Sequence, residues 1–419
     1  MAPFILNNPN IDWCDRAVPQ KLAFQSLLHK APNVNRGKLL GGGSCLNHMI
    51  AMRGHPNDYN NWAHEANDSS WSYENLLPFF KKMENYHGTF PDDKYHGSEG
   101  PLHISSHQVV ARLVPEWLEA GKELGFPTKD PNGEQSESFF PFDTTTKNGA
   151  RHSTNQAYIY PAINRPNLRI KTYAHATKIE FDSNNIAIGV RYFRNNVHYY
   201  ARAQKEVIVS SGAIGSPQLL MLSGIGPEAQ LKSQGIPVRS NRPVGQNLQD
   251  HIMVFVGPFV VDDGKSLSFE RELNIDTLNE YVASGTGPYS AVGVMAGSIK
   301  SSSIAAPDWP DIYMKMVALA VTNHTINIFE NYYGLKPGLL PKYFAKDFGK
   351  DGFFIAPILG LAKTRGEVKL RSADPFDRLD IDPMYLADPD DFKIMMEGVK
   401  FALQIAETKA FRKVGARLT

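Results

Sequence analysis

Hydrophobic and polar positions along this chain change period in blocks. Up to residue 36 no period lasts, because Pro3, Pro9, Pro19 and Pro32 interrupt it, so this part reads as loop. Trp62, Trp71, Tyr73, Leu76, Leu77, Phe79 and Phe80 then crowd aromatic and apolar surface into a short span that reads as core. Ser72 is placed to cap a helix running through Glu74 to Lys82. From Val110, apolar residues recur at Leu113, Val114, Trp117, Leu118 and Leu124, a helical spacing that ends at Gly125. Pro115 falls in the first turn, where a helix tolerates it.

Alternation takes over at residue 168. Leu168 to Tyr173, Ile179 to Phe181 and Ile188 to Tyr192 predict a three- or four-stranded antiparallel piece turned at Asn184-Asn185 and Asn195-Asn196. It delivers the chain to Glu206-Val207-Ile208-Val209-Ser210-Ser211, apolar enough for a central strand buried on both faces. From Ile252 the pattern is sheet, followed by variable loop at 300–303 and 307–310. A helix is expected from about Pro389 to Phe411, with Phe392, Met395, Val399, Ala402 and Ile405 as its apolar stripe.

Two stretches carry candidate chemistry. In Gly41-Gly42-Gly43-Ser44-Cys45-Leu46-Asn47-His48-Met49-Ile50, three glycines leave a backbone without Cβ atoms that another body can approach closely. Polar Ser, Asn and His tips follow, which suits a chain lying flat against a large planar ligand. A Gly-rich turn entering a buried helix is the other reading of the same residues. In the second stretch a strand ends at Gly212, Ser216 acts as a cap and Pro217 takes the first helical position. Such a junction points free N–H groups and partial positive charge toward a phosphate. Asp250 beside His251 suggests an acid–base pair, but neighbours in an extended chain face opposite ways, so a structural role is expected.

Composition narrows the classes. The 419 residues allow two or more domains, and 42% hydrophobic with 21% charged residues is ordinary for a soluble globular protein. With 44 Lys and Arg against 43 Asp and Glu, and no basic stripe, nucleic acid is not an expected partner. The longest apolar run, Phe353 to Ala362, is too short to span a bilayer. Met1 to Leu6 has no basic region before it and does not read as a secretory signal. Two cysteines, Cys14 and Cys45, make neither a disulfide framework nor a metal site; they fit a reducing compartment, and the compartment itself stays open.

The full spelling of Gly37 to Gly54, with Gly-Lys, Gly-Gly, Asn and Arg-Gly in place, resembles the first motif of the glucose–methanol–choline (GMC) flavin oxidoreductases. Gly212 to Gly226 resembles their second motif, and Pro243 to His251 a further hallmark. Thr364 to Leu370 and Asp382 to Leu386 resemble the family again. The resemblance implies an α/β fold, α+β in part. Its parts are a FAD-binding region over residues 1–252, a substrate-domain sheet with loops over 253–361, and the start of a C-terminal region over 362–419. It puts Asn47, His48, Met49 and Ile50 beside the flavin of FAD, with Leu39, Gly42 and Gly43 nearby, Gly212 next to the dinucleotide and Ala176 near the adenine. Some relatives attach FAD through a His in the loop; Leu46 stands at that position here, which implies non-covalent FAD.

The resemblance also marks departures. No Gly-x-Gly-x-x-Gly opens the chain, so the Rossmann start expected of the family is lacking, and the family's catalytic His is expected beyond Thr419. No catalytic residue is therefore assigned to any of the 13 histidines. The chain is expected to be truncated at both ends. The implied activity is hydride transfer from the CH–OH group of an alcohol or sugar to flavin, with oxygen or a quinone as acceptor. A non-catalytic homologue serving as a binding or scaffold protein is the alternative.

Overall fold

The computed structural model describes residues 6–106, 112–291 and 293–418. Its centre is a six-stranded sheet in the order Arg417–Leu418, Val256–Val260, Gly352–Leu359, Ile312–Val317, Ala296–Lys300 and Ser138–Pro141, antiparallel throughout. The sheet thus draws strands from the first and last parts of the chain as well as the middle. The Phe353–Ala362 run supplies one of its inner strands, and Phe353, Ile355 and Ala356 are fully buried.

Period-2 alternation divides the Ile312–Val317 strand between two environments. Ile312, Met314 and Met316 point into the main core, each worth about 2 kcal/mol on burial. Helix Pro389–Ala406 covers that face, where a Cβ on Gly398 would lie 2.8 Å from Pro357. Tyr313, Lys315 and Val317 take the other face. Helix Val114–Glu123 closes the Ser138–Pro141 edge, and its Trp117 Nε1 donates to the Gly297 carbonyl at 2.8 Å. Pro115 sits in its first turn as expected, whereas Val110 lies outside the described residues. A second, smaller core joins Ile214, Met221, Leu222 and Leu231 to Val368, Leu370 and Ile381.

The antiparallel piece forms as three strands, His175–Phe181, Ala187–Arg194 and Val197–Arg202. Asn185, Asn195 and Asn196 adopt positive φ at its turns, a conformation that Asn tolerates. Residues 168–173 form no strand, because no described strand pairs with them, and Tyr173 is 89% exposed. The expected central strand at 206–211 is also overturned. No described strand lies beside it to complete a ladder, and Ile208 is 78% exposed.

Three further expectations are corrected. Helix Tyr73–Met83 forms after Ser72, but it buries no residue fully. The aromatics of this span instead gather on Tyr59, with Trp62, Tyr73 and Phe80 packed round that ring, and no described residue buries Trp62, Trp71 or Phe79, which stay exposed. Helix Gly212–Leu222 begins four residues before Ser216, leaving Pro217 inside it; the Ser216 hydroxyl accepts from the Ser211 N–H at 3.0 Å. The last long helix stops at Ala406, and Lys409–Arg412 is a separate turn. Its buried stripe runs through Ile394, Met395, Gly398, Phe401, Ala402 and Ile405, with Phe392 exposed. Buried Asp391 sets that rotation by accepting from the Lys363 and Thr364 N–H groups at 2.8 and 3.0 Å.

Candidate active site

The glycine stretch does not enter a helix. It makes one 3-10 turn, Gly42–Cys45, and continues as loop to Ile50, which bridges Thr144. Gly37 permits the fold-back, since a Cβ there would stand 2.2 Å from the Gly42 oxygen, and Gly41 turns at φ +95°. The next two glycines face the other way: Cβ atoms added at Gly42 or Gly43 would meet nothing within 4 Å. The same holds at Gly212, at the start of the second motif.

A second segment, 150–155, clamps the loop. Arg151 Nη1 donates to the Ser44 carbonyl at 2.9 Å and to Asn47 Oδ1 at 2.8 Å, and Nη2 donates to the Asn47 carbonyl at 2.8 Å. The Met49 N–H also donates to Asn47 Oδ1, at 3.0 Å. Both bonds fix the amide so that Oδ1 faces inward, and Nδ2 makes no hydrogen bond among the described residues. Thr154 and Ser44 pair at 3.0 Å between hydroxyls. Neither Arg151 nor Thr154 stands out in the sequence, because their carbonyl targets exist only once the loop has folded.

Arg36 joins the two motifs. Its guanidinium lies 3.5 Å from the Cβ position of Gly215 and 5.3 Å above the Trp13 ring, which packs edge-on against His175 at 5.7 Å. Ala176 follows His175 on an exposed strand position opposite Tyr192, so the loop, the Gly212 helix start and the Ala176 strand are neighbours. Leu39 stands 38% exposed beside them, and Leu46 and Met49 are buried.

His48 turns to a different space. It lines a cavity of about 70 Å³ with Lys315, Met253, Phe329, Tyr332 and Tyr289, against the second face of the central sheet. Its Nε2 faces the Tyr332 hydroxyl at 3.5 Å, and its Nδ1 is buried without a partner among the described residues. Burial first, then the Lys315 and Arg151 charges, push the His48 pKa down to about 4, so the ring is neutral near pH 7. Burial lowers the Lys315 pKa as well. Among the described residues no carboxylate lines this cavity.

Asp250 and His251 do not pair through their side chains. Tyr385 donates its hydroxyl to Asp250, and His251 Nδ1 bonds the Leu359 carbonyl at 2.8 Å, which is the expected structural role. Among the described residues no group of three or more His, Cys, Asp or Glu converges on a metal position. No described helix is long and apolar enough to cross a membrane.

A GMC oxidoreductase family model matches residues 23–253, and a second of that description matches residues 362–418. The chain belongs to the GMC oxidoreductase family. It is 34% identical over 382 residues to an oxygen-dependent choline dehydrogenase of Staphylococcus haemolyticus, covering 90% of this chain and 63% of that protein. An enzyme of the same name from Staphylococcus aureus is 33% identical, again with 90% and 63% covered. The chain therefore spans less than two thirds of the length of these relatives. Among solved structures, formate oxidase of Aspergillus oryzae superimposes with a TM-score of 0.84 at 22% identity, covering 100% of this chain and 74% of that one. Pyridoxine 4-oxidase of Mesorbium loti gives 0.77 at 24%, covering 99% and 73%. The GMC fold is thus shared at low identity, with the glycine loop and the Gly212 helix inside the first matched region.

Proposed function

We propose that this chain binds FAD non-covalently and belongs to an oxidoreductase acting on the CH–OH group of an alcohol or sugar, with oxygen or a quinone as electron acceptor. The observation that carries the reading is the protein-free space above Gly42, Gly43 and Gly212, on elements that Arg36 joins. Backbone without Cβ atoms there suits the flat approach of a dinucleotide.

In this reading Leu39 flanks the flavin ring, and the backbone of Met49 and Ile50 lies along its edge. Asn47 Nδ2 is a free donor offered to it, and His48 meets it from the side of the cavity that its ring lines. The first N–H groups of helix Gly212–Leu222 face phosphate, and the Ala176 backbone meets the adenine. Leu46 is a buried hydrocarbon with no nucleophile, which supports non-covalent attachment. FAD, when bound, supplies the hydride acceptor. The protein's part in the cavity is to exclude water and keep His48 neutral, a hydrogen-bonding group without charge. No residue of this chain is assigned as the base that takes the hydroxyl proton. The domain limits proposed remain 1–252, 253–361 and 362–419.

A visible spectrum of the purified chain, before and after addition of FAD and desalting, tests this. A retained flavin band that bleaches anaerobically with an alcohol is expected. A chain that folds yet retains no flavin would instead be a non-catalytic homologue acting as a binding or scaffold protein.

A further inference from the structure

The ammonium of Lys315 presents an energetic problem. It projects from an inner strand of the central sheet between two small cross-strand neighbours, Gly297 and Ala356, into a cavity walled by aromatic and aliphatic side chains. No hydrogen bond or ion pair reaches it from any described residue. A confined cation without an anion forfeits solvation that nothing in the protein returns. His48 on the same wall is neutral, and the Tyr332 hydroxyl bonds His48 rather than the lysine.

We propose that this cavity takes an alcohol whose short apolar stem ends in a carboxylate, with the Lys315 ammonium as the carboxylate's partner. As a statement about substrate it rests on the reading of the chain as a CH–OH oxidoreductase; as a statement about binding it does not. A charge-assisted N–H···O bond in a poorly solvated space is among the stronger polar contacts a pocket can offer. The apolar wall suits the stem. The space of about 70 Å³ is less than half of the roughly 150 Å³ that holds benzene, which fits a chain of about four carbons. The same lysine repels a quaternary ammonium, so this pocket selects against a choline-like ligand although the Staphylococcus relatives are named for choline.

Calorimetric titration of the purified chain with butyrate, 1-butanol and choline tests the assignment without turnover. Butyrate is expected to bind about tenfold or more tightly than 1-butanol, and choline not measurably. K315M should remove that preference and K315R restore most of it. Equal binding of butyrate and 1-butanol, binding of choline, a K315M variant that keeps the preference, or no binding of any of the three would each overturn the proposal. The ligand ranking on the unmodified chain decides even where K315M does not fold. Failure of the flavin reading shows separately, as a chain that ranks the ligands as expected yet retains no FAD.

Discussion

Arg151 holds Asn47 from two sides, through its side-chain oxygen and its backbone carbonyl, both at 2.8 Å. The planar guanidinium spans two acceptors that a lysine ammonium cannot reach together. Burial lowers the Arg151 pKa, yet the group stays charged near pH 7, and each bond it makes is charge-assisted. R151A should therefore cost about 1.5–3 kcal/mol in urea denaturation, and R151K a smaller part of it. Flavin affinity, read by quenching of flavin fluorescence, should fall about tenfold in R151K if the orientation of Asn47 matters to the cofactor.

Gly43 and Gly121 separate binding from folding. A Cβ at Gly43 meets nothing within 4 Å, whereas one at Gly121 would lie 2.5 Å from the ring of Phe139, which is fully buried and has nowhere to move. G121A is expected to lower stability by about 1–3 kcal/mol. G43A should stay within about 0.5 kcal/mol of the parent chain, since it is open to solvent. In a flavin titration the order reverses, with G43A losing affinity because its methyl group occupies the proposed cofactor face.

The two cases show which kinds of information the residue order carried. The glycine loop, the Asn-Asn turns and the helix at Val114–Glu123 depend on neighbours a few positions away, and the local pattern disclosed them. Residues 206–211 read as a strand and form none, because a strand needs partners on both sides, and alternation or apolarity in one segment says nothing about whether they arrive. The aromatics at 62–80 read as core and stay partly exposed for a related reason: apolar area becomes core only where another layer covers it. Lys315 left a trace, as a lone charge between Met314 and Met316 in a strand pattern. Its meaning came only from a cavity whose walls lie at 48, 253, 289, 329, 332 and 333.

His96 makes stability depend on pH on the alkaline side. Its ring is 4% exposed, stacks on Tyr86 at 3.5 Å, and bonds Asp130 at 2.9 Å and Glu84 at 3.3 Å. Burial opposes its charge, but the hydrogen bonds to the two carboxylates outweigh that and bring its pKa up to about 9. A pKa raised above the unfolded value of 6.5 stabilises fully below pH 6.5, and the benefit disappears as pH rises through about 9. The shift corresponds to about 3 kcal/mol at most. Urea denaturation of the parent chain and H96Q at pH 6 and pH 10 should show the larger gap at pH 6; a gap that is equal at both would remove the charged histidine from the account.

Asp351 gives the opposite sign. Burial raises its pKa, but Arg271, with bonds at 2.9 and 3.1 Å, the Ser266 hydroxyl at 2.6 Å and the Ser266 and Gly264 N–H groups prevail. The net pKa is pushed down to about 2, from 3.8. Its stabilisation is present above pH 3.8 and is lost as pH falls through about 2. D351N keeps the shape but turns one acceptor oxygen into a donor facing donors, leaving Arg271 with Glu272 as its remaining carboxylate at 3.0 Å and the Ser266 and Gly264 N–H groups without an anion. A loss of about 1–2 kcal/mol at pH 7 is expected, less than for a fully buried pair because the Arg271 side chain is 43% exposed and keeps Glu272. The same variant should differ less from the parent at pH 2, where the parent's own carboxylate is partly protonated. A pH-independent difference across that range would mean that packing, not charge, holds the Gly264–Ser266 turn to the Gly352–Leu359 strand.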